Sequence, residues 1–395
     1  MGGSASGGGV SAGNGSGAPG GAGSSAAAAG ATGDGEGGSV GAAAGSSAGG
    51  APPHATAGSA GNASGAGNQP MAGAGGAAGG AAGSAGCDFA VLDPSKPPQM
   101  LQLSGSVGTH DPVVIEADGI FYMFHTGNNI GAKTSTDLRS WKNAPTVFTN
   151  ATRPAWLAQQ VPAVESNLWA PDISRFGGQY HLYYSVSSFS SNRSCIGHLT
   201  RPSLATGSWT DRGPVICSNT TSTKENWNAI DPNVVIDEAG TPWLSFGSFW
   251  SGIKLIQLDQ AGARVGTSLE SLANRPNDSG AVEAPFIVRR CDYYYLFVSW
   301  DSCCKGVSST YNLRVGRSKS VKGPYVDRDG KSLLEGGGTL LVQGNSTFHG
   351  PGHNAVLFTA TAAYNIFHAY DAPPATLRIS ELAFGADGWP VSAGP

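Results

Sequence analysis

Five short motifs place a chemically capable residue beside a proline or glycine at the head of an apolar strand. They are His110-Asp111-Pro112, Trp169-Ala170-Pro171-Asp172, Ile230-Asp231-Pro232, Glu283-Ala284-Pro285 and Gly350-Pro351-Gly352-His353. Brought together, Asp111, Asp172, Asp231, Glu283 and His353 would supply several carboxylates and an imidazole. Two carboxyls in different environments are the minimum for hydrolysing a glycosidic bond. One gives a proton to the leaving oxygen, and the other activates water or attacks the sugar. A third anion nearby raises the acid's pKa and keeps it protonated near neutrality. Asp111, Asp231 and Glu283 fit these roles. A single acid before proline often only starts a strand or turn. A set of them is different, because packed anions repel, and that cost persists where the charges work or bind a cation.

The elements that must position these residues repeat with them. After each motif comes an apolar strand, a Gly- or Asp-containing turn and an aromatic strand. The aromatic strands are Phe121-Tyr122-Met123-Phe124, Tyr180-His181-Leu182-Tyr183-Tyr184, Trp243-Leu244-Ser245-Phe246, Tyr293-Tyr294-Tyr295-Leu296-Phe297 and Tyr364-Asn365-Ile366-Phe367. The lead residues recur roughly every 50–70 positions, a spacing that suits propeller blades. Helix signals are sparse and short strands dominate. The chain therefore reads as all-β, a five-bladed β-propeller, with the innermost strand of each blade lining a central channel. In the first blade, the outer strands are expected at 130–135 and around Thr146-Val147-Phe148, with 136–141 as the turn between them. Ser208-Trp209-Thr210-Asp211 and Gly323-Pro324-Tyr325-Val326 are expected in the same place in the second and fourth blades. The alternative is a β-sandwich with coincidental spacing, but the lead residues repeat along with the hydrophobic pattern.

Flat apolar rings beside the blade starts suit stacking on sugars. Trp169, Phe189, Phe249 and Trp250 are placed for this, although each alone could be core. Trp169, Asp172, Phe189 and Ser248 are the candidate substrate contacts. His353 has no carboxylate partner in sequence. It is either a hydrogen-bonded channel histidine or the ligand of an axial cation completed by water.

Composition sets the outer limits. Residues 1–86 hold 31 of the chain's 60 glycines and carry no Cys, Lys, Arg or aromatic residue. Such a segment cannot bury enough apolar surface to offset its ordering entropy, so it is expected to be a disordered tether rich in Gly, Ala and Ser. Residues 87–395 are sized for one β-domain, expected to be a monomer. That part carries 23 basic and 25 acidic residues without a basic stripe, which argues against nucleic acid as a partner. No apolar run of about 20 residues suggests a membrane span. All six cysteines lie at or after Cys87, which fits an exported protein, extracellular or tethered at a cell surface, although no signal is visible. Cys195 and Cys217 are expected to pair across a hairpin. Cys303-Cys304 is either a vicinal disulfide or two free thiols.

At these residues the chain resembles glycoside hydrolase family 43, five-bladed propeller enzymes, and within it the endo-α-1,5-L-arabinanases. Besides His110-Asp111-Pro112, the resemblance rests on Asn167-Leu168-Trp169-Ala170-Pro171-Asp172-Ile173, Tyr183-Tyr184-Ser185-Val186-Ser187 and Ala229-Ile230-Asp231-Pro232-Asn233. It is completed by Ser245-Phe246-Gly247-Ser248-Phe249-Trp250, Glu283-Ala284-Pro285-Phe286 and His349-Gly350-Pro351-Gly352-His353-Asn354. Taken in order across 100–390 they are specific. The resemblance implies an inverting hydrolase acting on internal α-1,5 bonds of arabinan or arabino-oligosaccharides. It implies Asp111 as general base, Glu283 as general acid, Asp231 as modulator of the acid's pKa, and His353 at a metal site, usually calcium. An exo-acting α-L-arabinofuranosidase or β-xylosidase is the alternative on the same scaffold. A catalytically inactive sugar-binding propeller is a third reading. The segment 1–86 is a departure from the family pattern.

Overall fold

The computed structural model describes residues 84–219 and 225–394. The expected tether falls almost wholly on 1–83, outside the described residues. Its last residues do not fit that expectation. Ser84–Ala85 pairs in parallel with Arg289 and Arg290, and Cys87 is disulfide-bonded to Cys291. Ser84, Ala85 and Cys87 are therefore tied to blade 4, although 84–86 fall within the expected tether.

Five sheets follow one another along the chain, each built on a meander of four antiparallel strands, and three of them carry an added two-residue edge strand. Blade 1 holds Val113–Ala117, Ile120–His125, Gly131–Ser135 and Ser140–Ala144. Blade 2 holds Asn167–Phe176, Gln179–Val186, Ser194–Arg201 and Thr210–Ser218. Blade 3 holds Asn233–Ile236, Pro242–Phe246, Ile253–Gln257 and Glu270–Ala273. Blade 4 holds Val282–Arg290, Tyr293–Trp300, Asn312–Ser318 and Thr339–Gln343, and blade 5 holds His349–Phe358, Ala363–Tyr370, Thr376–Phe384 and Pro390–Ser392. The architecture is a five-bladed β-propeller.

The inner strands were legible and the outer ones less so. The fourth strand of blade 1 is Ser140–Ala144, so Ser140 and Trp141 lie in a strand where a turn was expected, and 146–148 is not strand. The segment 323–326 in blade 4 lies outside the strands, as expected of a turn, and Val326 bridges to Arg317 of the third strand, whereas Thr210 and Asp211 in blade 2 already belong to its fourth strand. The Trp141 ring explains the first difference. It is 1% exposed and its indole N–H reaches the Leu138 carbonyl, so burial of a large ring pulls this segment onto the sheet.

Apolar layers fill the spaces between blades. Val114, Met123 and Trp141 of blade 1 pack with Leu357, Leu377 and Ile379 of blade 5. Phe176 and Tyr183 of blade 2 meet Val234 and Leu244 of blade 3, and Val235 and Leu255 of blade 3 meet Ile287 and Leu296 of blade 4. Sandwiched strands bury both faces, which is why every residue of Tyr180–Val186 is buried, His181 and Ser185 included. The ring closes through the segment ahead of blade 1. Met100 and Gly108 bridge to Ser380 and Thr376 of blade 5, while Ser104–Gly105 pairs with Ser140 and Trp141 of blade 1. The last blade is thus tied to the first by main-chain hydrogen bonds.

Candidate active site

The blade starts share one backbone feature. Asp111, Ala170, Asp231, Ala284 and His353 all have φ between 43° and 58°, in the left-handed region that non-glycine residues seldom occupy. Each is followed by Pro or, in blade 5, by Asn354. Such strain persists only where surrounding contacts impose it. Here the contact is a hydrogen bond to the residue's N–H from the preceding blade. Thr126 Oγ1 accepts from Ala170 (2.7 Å), Ser185 Oγ from Asp231 (2.9 Å), Ser299 Oγ from His353 (2.8 Å) and His368 Nδ1 from Asp111 (3.2 Å). The matching position in blade 3 is Gly247, whose N–H meets the Ile230 carbonyl and which has no side chain. The carboxylate of Asp231 substitutes for it, with Oδ2 accepting the Ala284 N–H at 3.1 Å.

This alignment corrects the expectation that the five lead residues are equivalent. Asp111, Asp231 and His353 occupy the left-handed position itself. Glu283 and Trp169 lie one residue before it, and Asp172 lies two after it. The ladder shifts register over the same interval in three blades, between Trp169 and Asp172, Glu283 and Phe286, and Gly352 and Ala355. A bulge of this kind re-aims side chains beside a site. Asp172 consequently does not line the funnel. It is 2% exposed, and its carboxylate accepts the Val234 N–H (2.9 Å) and the Asn233 amide (3.3 Å) of the next blade. Burial pushes its pKa up to about 7. Asp172 braces blade 2 against blade 3 and is misplaced as a substrate contact.

The remaining candidates converge on one cavity of about 720 Å³ at the channel mouth. Asp111, Asp231, Glu283, His353, Trp169, Phe189 and Ser248 all line it. Its size suits a small-molecule or oligosaccharide unit. Phe189 is 68% exposed and tilted against Trp169, with ring centroids 4.9 Å apart. Trp250 is 42% exposed. These rings form an apolar rim. Ser248 does not stand free for a ligand, because its hydroxyl donates to Glu283 Oε2 at 2.6 Å.

The carboxyls sit in opposed electrostatic settings. Asp111 is 7% exposed, and burial alone would raise its pKa. His110 and His353 overcome this, with Nδ1 atoms 2.7 and 3.1 Å from Asp111 Oδ1, while His368 Nδ1, which accepts the Asp111 N–H, lies 3.7 Å away. Thr126 donates to Oδ2. The net result holds Asp111 well below the usual carboxylate range. Glu283 is shifted the other way by burial and by the negative charge of Asp111, against the Ser248 and Tyr311 hydroxyls, which favour its anion. Asp231 is also raised, by burial first, then by Glu283 and Asp111. Buried close together, Asp231 and Glu283 favour holding a proton between them.

Several residues here escaped sequence reasoning. Tyr311 donates to Glu283 and is 3% exposed. His368 stacks on His110 at 3.9 Å between centroids. His110 was visible inside its motif without an assigned task. Tyr311 and His368 lie outside the repeated strand starts, so no periodic signal marked them. His353 also borders a small void beneath the funnel, beside Asn354. Among the described residues Asn354 Oδ1 is buried without a hydrogen-bond partner. An imidazole and a free amide oxygen are compatible with a cation that completes its shell with water.

Comparison with known proteins agrees with this geometry. The model of "Glycosyl hydrolases family 43" matches residues 105–390. The chain is 45% identical over 288 residues to an extracellular endo-alpha-(1->5)-L-arabinanase of Bacillus subtilis, covering 71% of this chain and 86% of that protein. It is 40% identical over 302 residues to an extracellular exo-alpha-(1->5)-L-arabinofuranosidase of Cellvibrio japonicus, covering 72% and 86%. Among solved structures, a GH43 endo-arabinanase from Bacillus licheniformis aligns with a TM-score of 0.69 at 47% identity, over 74% of this chain and 99% of that one. A Cellvibrio cellulosa alpha-L-arabinanase complexed with arabinohexaose aligns with a TM-score of 0.69 at 39% identity, over 73% and 96%. A match that runs from the first blade to the last, over a funnel of opposed carboxyls, places the chain in one family: it belongs to glycosyl hydrolase family 43.

Proposed function

We propose that this protein is an inverting glycosidase that cuts internal α-1,5-L-arabinofuranosidic bonds of arabinan. The supporting observation is the contrast between Asp111, held ionised by its histidines, and Glu283, raised by burial, in one cavity. In this reading Asp111 takes a proton from the water that attacks the anomeric carbon. Glu283 protonates the leaving oxygen. Asp231 holds the start of blade 4 through Ala284, and its charge raises the acid's pKa. Inversion requires carboxyls roughly 6.5–9.5 Å apart, with room for the water, and predicts a β-configured first product. Proton NMR of a fresh digest tests this; an initial α-anomer would mean retention.

Cleavage within the chain is favoured by the exposed rings of Phe189 and Trp250, which make the rim of the cavity an apolar surface open to solvent. The relative from Cellvibrio japonicus named as an exo-enzyme supports the second reading, an exo-acting arabinofuranosidase. Sizing the early products from linear arabinan, alongside aryl arabinofuranoside and aryl xyloside, separates the two. Oligosaccharides at the outset support endo action, and arabinose alone supports exo action.

We further propose calcium at His353 and Asn354 with water completing its shell. When bound it would fix the base of the channel. Export from the cell is supported by the three disulfides and by relatives named as extracellular. Among the described residues no helix is long and apolar enough to cross a membrane.

A further inference from the structure

We propose that the disulfide between Cys303 and Cys304 is a wall of the substrate funnel that packs against C–H groups of a sugar unit bound beside Asp111. The proposal rests on the glycosidase reading above. Both cysteines are joined and both line the cavity. Cys304 is exposed and Cys303 half-buried. Cys304 Sγ lies 3.7 Å from His110 Nε2, and His110 Nδ1 lies 2.7 Å from Asp111 Oδ1. The sulfur surface is therefore one imidazole away from the carboxylate that would activate water. The same loop runs on to Tyr311, whose hydroxyl reaches Glu283. The loop is closed on itself by Thr310 N–H to the Ser302 carbonyl (2.9 Å) and Lys305 N–H to Ser309 Oγ (3.0 Å).

Chain stapling does not account for this bond. A disulfide stabilises mainly by closing a loop, more for longer ones. Cys87 and Cys291 are 204 residues apart, whereas Cys303 and Cys304 are neighbours. A metal role is also unsuited. The ligand atoms of His110, Cys303 and Cys304 are close enough to share an ion, but thiolates are the metal-binding form and these sulfurs are bonded to each other. What the pair offers the cavity is a polarisable surface without a donor. In an arabinofuranose the ring C–H groups and the exocyclic methylene form apolar patches between the hydroxyls, so this surface complements such a patch and disfavours a hydroxyl.

The test uses the full chain with Glu283→Gln, so that bound arabino-oligosaccharide is not consumed. Titration calorimetry compares this parent with Cys303→Ala/Cys304→Ala and Cys303→Ser/Cys304→Ser added. Both pairs remove the covalent link, but only the serine pair replaces apolar surface with hydroxyls. The dissociation constant should rise about threefold for alanine and about tenfold or more for serine, with melting midpoints unchanged. Unchanged binding in both pairs overturns the proposal, and so does equal weakening, which would mean that the link alone matters. If either pair misfolds, a crystal of the Glu283→Gln parent soaked with the oligosaccharide decides directly. Sugar carbons within about 4 Å of sulfur support the wall, and a sugar placed away from it overturns it. Failure of the parent to bind arabino-oligosaccharide would instead sink the substrate reading, and the wall with it.

Discussion

Asp231 Oδ2 accepts the backbone N–H of Ala284 at 3.1 Å, and Ala284 is the residue that follows Glu283. In the other blades this clamp is a Thr, Ser or His side chain from the preceding blade. In blade 3 that position is Gly247, with φ at 132°, where an added Cβ would lie 2.6 Å from the Gly252 carbonyl oxygen. The side chain is sterically excluded, and a carboxylate takes over its task. One anion is thereby fixed beside a second carboxyl, with structural and electrostatic consequences at once.

Asp231→Asn should separate these consequences. The amide keeps an oxygen for Ala284 N–H but removes the charge that favours a protonated Glu283. The alkaline limb of the kcat profile should move to lower pH, with kcat reduced about 10²-fold or more. An unmoved alkaline limb would deny Asp231 any electrostatic role.

His110→Ala should move the other limb. Asp111 must be ionised to act as base, and His110 is the nearest of the groups that lower its pKa. Without it the folded-state pKa of Asp111 rises, so activity is lost at a higher pH on the acid side. The shift is read from kcat/KM against pH. A profile that falls uniformly, with its acid limb fixed, would reduce His110 to a packing residue.

Glu283→Ala and Asp111→Ala should each remove most hydrolysis, on the order of 10²–10⁴-fold, while the fold survives. An aryl leaving group that needs little protonation should partly restore Glu283→Ala and leave Asp111→Ala inactive. Equal restoration would reverse the roles assigned to them.

Asp172→Ala should damage stability more than chemistry. It leaves the buried Val234 N–H without its acceptor, a loss of about 1–3 kcal/mol. Burial raises the Asp172 pKa to about 7, so the neutral carboxyl is the form the fold prefers. Its contribution is fully present below the unfolded value and declines as pH rises toward 7. The stability gap between wild type and variant should accordingly narrow over that window in denaturant titrations. A variant that keeps its stability but loses sugar affinity would return Asp172 to the substrate surface.

Removal of divalent cations by a chelator should lower the melting midpoint, because an ion bound only by the folded form stabilises it by mass action. Added calcium should restore it. Elemental analysis without metal, together with no response to chelator, would leave His353 as a partner of Asp111 alone.

The sequence by itself determined the repeating blade, because strand periodicity and proline punctuation are local properties that recur five times. It also placed Asp111, Asp231, Glu283 and His353 at inner-strand starts, and the fold brings all four to one cavity. The Cys195–Cys217 bond was legible for the same reason, since the two residues face each other in one hairpin. Tertiary structure alone decided the rest. Which way Asp172 points depends on a one-residue register shift between Trp169 and Asp172 that no periodicity marks. The union of Cys87 with Cys291 depends on a strand pairing between segments 204 residues apart. The protonation contrast depends on the approach of His353 to Asp111 and on the burial of Glu283 near Asp111, neighbours that arrive from other blades. Strand formation is fixed by neighbours in sequence, whereas the charge state of a buried carboxyl is fixed by neighbours in space.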